Sequence, residues 1–582
     1  MARGRTGASF VAEMVPAGRG MAARPAFEMG PEVPLLKARR GDARIGDLVT
    51  ARLKGGGCEV IAVHGPVTSA GAAIRGLIAH EGLGRGFGSK ANGEAEAVAR
   101  ETVAADAGRR DVRDQRVITI DPAGAKDHDD AIAVAREGDG IRLWVHIADV
   151  SRFVRVGGAI DREAERRGCS VYLPGTVDPM LPERLSNDVC SLRPGEDRPA
   201  LTAHMLVMPD GTVTSEGFHR SLIRSDRRLT YPEVDAFLVG TGALGDRVME
   251  DDVRLAMELA RALRARRMRR GALDIVTSEP RFRFKGDRVV AVDLEHQTDA
   301  HSLIEECMIA ANEAVARFLI AKHVPAIYRV HPDPEQLAIE DLWSRLEVVG
   351  IPLPPLADGI LTAEQRRAAA GVAAHAVRLY VERMGEGAAS LPYMVLRALQ
   401  KAVYRPDETS HSGLASPAYL HFTSPIRRYP DLVVHRALVY TLGLGEPVPD
   451  AAMLPEVARD ASDRERDATN LERRADRMCL AYLLAHTLAG DDEWDRPRDG
   501  EVTGIGQPGL FITFDEVFDG LLPFRRMHDD HYVADQTEAE VVGEETGRRI
   551  RLGDAIRVRV VDVQPLRGRV TLEPADRPRP RR

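Results

Sequence analysis

Apolar and polar positions alternate in short runs through the first part of the chain and recur at helical spacing through much of the rest. GDLVTARL and CEVIAVHGPV are β-rich runs separated by Lys54, Gly55, Gly56 and Gly57, which predicts a hairpin inside a small barrel. Val117, Ile118 and Ile120 predict a buried strand, Ala131, Ile132, Ala133 and Val134 a second, and residues 141–154 a third whose Trp144 faces the core. Alternation returns over 201–208 and 211–220. A short charged helix is predicted at 161–167, another beginning near Tyr231, and longer ones over 255–270, 300–322, 334–349, 362–384, 392–403 and 463–489. Residues 499–573 read as five short strands, the count of an OB barrel.

Between these elements lie stretches without a period. Residues 1–40 are rich in Gly, Ala, Pro and Arg and are expected to form a disordered basic arm. A partial OB or cold-shock-like barrel follows at 41–75, then a Gly-punctuated connector at 76–110 with helix formers from Glu94 to Arg100. The run CSVYLPGTVDPMLPERLSNDVCSLRPGEDRPA carries too many prolines for one regular element, and loops of that length in a compact domain are usually functional. An OB module at 497–575 and a short basic tail at 576–582 complete the layout. The expected class is multidomain α+β, a large central domain flanked by small OB-type β-barrels.

Composition narrows the partners only slightly. A net charge of −8 does not mark a nucleic-acid binder, so local runs decide instead. The densest is six arginines in ten residues, Arg261, Arg264, Arg266, Arg267, Arg269 and Arg270, which suits either a solvated helix face or a phosphate-tracking surface. The five cysteines, Cys58, Cys169, Cys190, Cys307 and Cys479, form no CxxC pair, which argues against a disulfide framework and a zinc site. No apolar run reaches a membrane span, and the first residues lack a signal-peptide core, so a soluble cytoplasmic protein is expected.

The chemistry concentrates in TIDPAGAKDHDD, residues 119–130, which puts Asp121, Asp127, Asp129 and Asp130 within ten residues. Two like charges about 4 Å apart repel by ~1 kcal/mol in water and ~4 kcal/mol at an effective dielectric of 20. Such a cluster is either a solvated acidic loop or a site for hard divalent cations, since Mg²⁺ takes carboxylate oxygens and completes its shell with water and substrate phosphate. Extended backbone sends Asp129 and Asp130 to opposite faces, so both serve one site only if the chain turns between them. HFTSPIRRYPDLVVHR, residues 421–436, supplies adjacent Arg427 and Arg428, planar forks suited to a phosphate. Carboxylates with arginine make a recurring phosphodiester constellation, whereas no P-loop is present and nothing selects a Ser/His/Asp triad.

These motifs, with SVYLPGTVDPMLPERLSNDVCSL, IEECMIAAN and GLASPAYLHFTSPIRRYPDLVVHRAL, resemble the RNB catalytic domain of the RNase II/RNase R exoribonucleases, on the RNase R side, over residues 111–490. Residues 499–573 resemble the S1-type RNA-binding module that follows that domain in the family. The resemblance implies hydrolytic, processive 3′ to 5′ degradation of single-stranded RNA to nucleoside 5′-monophosphates by a monomer using Mg²⁺, with Mn²⁺ as the alternative ion. It implies metal-site roles for Asp121, Asp127, Asp129 and Asp130, with Asp129 tied most closely to the chemical step. Arg427 matches the arginine at the scissile phosphate, with Arg428 beside it. Tyr172 and Tyr231 match aromatics that stack on or position the terminal nucleotides. Glu306, or its neighbour Glu305, matches the acid near the terminal ribose, and Glu472 a further glutamate.

Two departures stand out. Near GALDIVTSEP the family carries an aromatic that clamps the terminal base, and this chain offers Ile275. The family also carries two cold-shock barrels, where the N-terminal part here has room for about one. The rival reading is a catalytically silent RNB-type RNA-binding protein, in which loss of motif aspartates is expected, and all four are present.

Overall fold

A computed structural model describes residues 7–36, 41–101, 108–275, 278–490 and 493–575. Its N-terminal module is a five-stranded sheet of β1 (Ser9–Ala17), β2 (Gly20–Pro25), β3 (Val33–Pro34), β4 (Asp47–Lys54) and β5 (Gly57–Pro66), in the order β3-β2-β1-β4-β5. A bridge between Leu35 and Cys58 brings the β3 end of the chain onto β5, so the sheet curls toward a barrel around Ala12, Met14, Ala23, Val49 and Ala51. The arm expected to be disordered over 1–40 is therefore corrected. From Ser9 onward it supplies three barrel strands, because SFVAEMVPA buries Val11, Ala12, Met14 and Val15 while exposing its ends. Small residues that read as low complexity are what a tight barrel interior accepts. Residues 1–6 and 37–40 of that expectation lie outside the described residues. The predicted hairpin forms, with Gly55 and Gly56 at φ 50° and 84°, a pair of left-handed residues that suits the twist of adjoining strands.

Two helices, α1 (Ala70–His80), capped by the Ser69 hydroxyl, and α2 (Ser89–Ala99), occupy the expected connector. The central domain then builds a seven-stranded mixed sheet from β6 (Arg110–Asp111), β7 (Ile118–Asp121), β8 (Asp130–Glu137), β9 (Gly140–Ala148), β12 (Asp197–Val207), β13 (Val213–Arg224) and β14 (Arg227–Thr230), in the order β14-β7-β8-β9-β12-β13-β6. Between β9 and β12 come α3 (Ala159–Arg167) and a small hairpin, β10 (Val171–Leu173) with β11 (Thr176–Asp178). The period-2 pattern sorts the two faces. Ile132, Leu143, Val145 and Ile147 join a core with the helices, while Ala131, Ala133 and Ala148 join another with Phe153, Ile160, Met180 and Leu185.

The helical face is laid down by α4 (Tyr231–Leu238), α5 (Arg247–Arg269) and, after the hairpin β15 (Glu279–Lys285) and β16 (Arg288–Glu295), α6 (Asp299–Ala321). A strand pair, β17 (Tyr328–Val330) with β18 (Val403–Arg405), brackets α7 (Gln336–Val349), α8 (Ala363–Met384) and α9 (Leu391–Ala398). Then come α10 (Tyr429–Thr441) and the long α11 (Leu454–Thr487), whose last turns enter the core of the C-terminal barrel through Leu480, Leu484 and Leu488. That barrel closes as predicted from five strands, β19 (Arg498–Gly506), β20 (Gly509–Phe514), β21 (Phe518–Pro523), β25 (Ala555–Gln564) and β26 (Arg569–Pro574). The gap in its strand pattern holds a separate sheet of β22 (Tyr532–Ala534), β23 (Glu540–Gly543) and β24 (Arg549–Arg551). The basic tail at 576–582 lies outside the described residues. Among the described residues no helix is long and apolar enough to cross a membrane.

Candidate active site

The chain leaves β7 at Asp121 and re-enters the sheet at Asp130, so the acidic loop hangs from the ends of two neighbouring strands. Ser191, in the long Pro-rich segment, pins that loop by accepting the His128 N–H at 3.1 Å and donating to the Lys126 carbonyl at 2.8 Å. The motif around Arg427 approaches from the other side. Although 297 residues away in sequence, the Ile426 N–H donates to Asp129 Oδ1 at 2.9 Å, and Arg427 Nε stands 3.7 Å from Asp129 Oδ2. The two motifs share one site because a main-chain hydrogen bond ties them together.

Pairing with β9 runs through both Asp129 and Asp130, since the Ala148 N–H donates to the Asp129 carbonyl and Asp130 lies opposite Ile147. Asp129 is 4% exposed. Burial lifts its carboxyl well above the usual range, Arg427 and the Ile426 N–H oppose this, and Asp127 and Asp130 add to it. Burial raises Asp130 to about 7, with Asp121 adding to the rise and Arg427 and Arg428 opposing it. Both carboxyls thus feel Arg427.

Tyr172 on β10 is partly exposed and donates its hydroxyl to Asp127 Oδ2 at 2.9 Å, while its own N–H donates to Glu472 on α11 at 2.8 Å. Burial and the neighbouring Asp127 raise its phenol. Glu472 is thereby a brace for the strand that carries Tyr172. Tyr231 begins α4, stacks on His301 at 3.8 Å between ring centroids, and is raised by burial and then by Asp130 and Asp121, which places it beside the acidic loop. Arg427 is half-exposed, whereas Arg428 is fixed to fully buried Asp431 at 2.7 Å and serves the packing of the 421–431 loop.

One expected RNA contact is turned away from solvent. Glu306 is 2% exposed and pairs with buried Arg267 at 2.5 Å across the α5–α6 interface, so its carboxylate is consumed inside the protein. Its neighbour Glu305 is half-buried and accepts from the Gln297 amide. The arginine run on α5 resolves the same way. Arg261, Arg264 and Arg270 pair with Asp299, Asp274 and Glu313, Arg266 and Arg269 bond the carbonyls of Gly211 and Asp210, and none of these needs a phosphate. Ile275 packs partly buried against the core shared by α7–α9 and the C-terminal barrel, and the two residues after it lie outside the described residues.

His128 was not singled out by sequence. It is 5% exposed, and its Nδ1 lies 3.0 Å from Asp121 Oδ2. A histidine embedded in an acidic run is a visible signal, but its partner is set by the fold of the loop. Ser191 carried no signal at all.

Among the described residues no three His, Cys, Asp or Glu side chains converge tightly enough to cage a metal. The donor set still fits a hard divalent cation that keeps its waters and takes substrate phosphate, which needs only one or two protein carboxylates. Asp121 Oδ2 and Asp129 Oδ2 are buried without a hydrogen-bond partner, and burial, with neighbouring carboxylates adding to it, raises the carboxyls of Asp129 and Asp130. A cation at Asp121, Asp129 and Asp130 would relieve both conditions.

Comparison with known proteins agrees with this arrangement. The family model described as RNB domain matches residues 109–443, more than half of the chain. The chain is 38% identical to ribonuclease R of Thermotoga maritima over 80% of its own length and 64% of the relative's. It is 36% identical to ribonuclease R of Escherichia coli over 78% of its length and 56% of the relative's, so it spans less than two thirds of either. The apo form of Mycoplasma genitalium RNase R superposes with a TM-score of 0.85 over 98% of this chain and 90% of that one, at 24% identity.

Proposed function

Since this chain belongs to the RNB-domain family, we propose that it is a divalent-cation-dependent 3′ to 5′ exoribonuclease, which hydrolyses single-stranded RNA one nucleotide at a time and releases nucleoside 5′-monophosphates. It acts as a monomer in the cytoplasm, with Mg²⁺ as its ion. The observation that carries the proposal is the join between Asp129 and the arginine loop, which sets a buried carboxyl and a half-exposed guanidinium 3.7 Å apart. That pair suits a reaction in which negative charge on a phosphodiester must be both admitted and stabilised.

In the proposed reaction water attacks the last phosphodiester in line, and the 3′-oxygen of the penultimate nucleotide leaves. Asp129, fixed by the Ile426 N–H and facing Arg427, is placed to orient the attacking water and, once ionised, to accept its proton. Arg427 faces the equatorial oxygens of the scissile phosphate, where a planar fork stabilises the charge that develops. Tyr172, anchored through Asp127 and braced by Glu472, offers a face on which any terminal base stacks, and Tyr231 stands beside Asp121 and Asp130. Asp121, Asp129 and Asp130 are the residues that would hold a divalent cation, which when bound would supply Lewis acidity to the water and offset the phosphate charge. The closed C-terminal barrel and the N-terminal barrel are suited to holding the incoming strand.

The test is 5′-labelled single-stranded RNA with Mg²⁺, wild type beside Asp129→Asn. A ladder shortened by single nucleotides, lost in Asp129→Asn while RNA binding persists, is expected. Wild-type protein that binds RNA and never shortens it would instead mark the catalytically silent RNA-binding reading.

A further inference from the structure

Behind the active site, at the seam between α1, the β10–β11 hairpin and α11, lies a cavity of about 450 Å³, within the usual range for small-molecule sites. It shares a strand with the catalytic machinery. Val171 of β10 lines the cavity, while the next residue, Tyr172, donates to Asp127. Successive strand residues face opposite ways, so β10 has the acidic site on one side and this cavity on the other.

The lining sorts into three kinds of surface. Along α11, Arg464, Asp467, Leu471 and Arg474 recur at helical spacing and present one stripe. Opposite them the loop after α1 turns through left-handed Gly82 and Gly84 to carry Leu83 and Arg85 into the wall. Several lining cations are already committed: Arg167 to Glu163 and Asp178, Arg166 to Glu163, and Arg474 to Glu81. Among the described residues Arg85 and Arg464 have neither an ion-pair nor a hydrogen-bond partner, and Asp467 likewise has none.

The geometry points to a second nucleotide site here, one that takes a nucleoside 5′-monophosphate. Arg85 and Arg464, both solvent-exposed at the cavity's rim, would supply guanidinium groups to a phosphate dianion. Asp467, with Asn470 beside it, accepts from ribose hydroxyls, and Leu83, Val171 and Leu471 give the base an apolar wall. The ligand class rests on the exoribonuclease reading, which supplies a nucleoside 5′-monophosphate at every turnover, whereas the cavity and its unpaired charges do not depend on it. Bound there, product would press on β10 from behind and so reach Tyr172.

Titration calorimetry of the full chain with AMP and UMP in EDTA, which strips any cation from the acidic site, and in an Arg427→Ala background, which removes the phosphate contact there, tests this. Binding of one nucleotide per chain is expected, weakened about tenfold or more by Arg464→Ala or Arg85→Ala, as loss of a charge-assisted hydrogen bond would do. Adenosine, lacking the phosphate, is expected to bind far more weakly, and the thermal midpoint of both variants to stay at the wild-type value. Absence of AMP binding at millimolar concentration overturns the proposal. So does AMP binding that is unchanged in both arginine variants. If 3′-blocked RNA loses affinity in Arg464→Ala while AMP does not bind, the arginine serves the RNA strand and the mononucleotide site is refuted. A failed RNA ladder would leave all of these titrations interpretable, so the two readings fall separately.

Discussion

Replacing Asp130 by Asn offers a direct probe of the electrostatics of the acidic loop. The folded protein holds this carboxyl at about 7, against an ordinary aspartate value near 3.8, through burial first and Asp121 second. A folded-state value above the unfolded one means that folding takes up a proton. The stabilising contribution is complete below about pH 4 and is lost as pH rises toward 7. At ~1.36 kcal/mol per pH unit, the metal-free protein at pH 8 carries a cost of up to about 4 kcal/mol from this group. Asn has no charge to repel Asp121, so metal-free Asp130→Asn is expected to be more stable than wild type at pH 8, and the advantage should vanish by about pH 4. Added Mg²⁺ should stabilise wild type at pH 8 and the variant far less, and the Mg²⁺ needed by wild type should rise as pH falls below about 7 because the ion must displace a proton. Thermal denaturation followed by circular dichroism from pH 4 to 8, with EDTA or Mg²⁺, reads all of this. Wild type and variant losing stability in parallel as pH rises, or gaining equally from Mg²⁺, would refute the reasoning.

Other substitutions separate chemistry from scaffolding. Arg427→Ala should lower kcat by about a hundredfold or more, as loss of a transition-state charge partner does, with little change in melting temperature. Arg428→Ala should act oppositely: it leaves Asp431 buried and unpaired, at a cost of ~3–5 kcal/mol in stability measured by denaturant unfolding. Tyr172→Ala should raise KM for single-stranded RNA by an amount equivalent to ~1–3 kcal/mol, whereas Tyr172→Phe keeps the stacking face and should recover most of it. Glu306→Gln should destabilise by about 3 kcal/mol through Arg267 while leaving kcat/KM of the folded enzyme and its preference for RNA over DNA intact.

What could be read from the chain depended on range. Strands such as β8 and β9, the helices and the closing of the C-terminal barrel are local patterns of apolar residues, and they were legible. The first strands of the N-terminal barrel were not, because β1 and β2 fill their interior with Ala, Val and Met among glycines and arginines, a composition that resembles a disordered tail. The aspartates and Arg427 were visible as motifs, but the Ile426–Asp129 hydrogen bond that joins them spans 297 residues and leaves no local trace. Glu306 shows the opposite limit. A motif position identified an acid on α6 without saying which side of the helix it faces, and packing against Arg267 turned it inward. The arginines of α5 likewise suited a phosphate surface as well as a solvated face, and only the fold shows Asp274, Asp299 and Glu313 meeting them.

The central claim is hydrolysis of RNA from its 3′ end at the Asp129–Arg427 site, and the products test it most directly. Single-stranded RNA is digested with Mg²⁺ in water enriched in ¹⁸O, and the released mononucleotides are analysed by mass spectrometry beside the shortening of the 5′-labelled strand. The account predicts nucleoside 5′-monophosphates carrying one ¹⁸O on phosphorus, released as the labelled strand shortens by single nucleotides, and none from Asp129→Asn. Nucleoside 3′-phosphates, internal cleavage fragments, or products without ¹⁸O would contradict it.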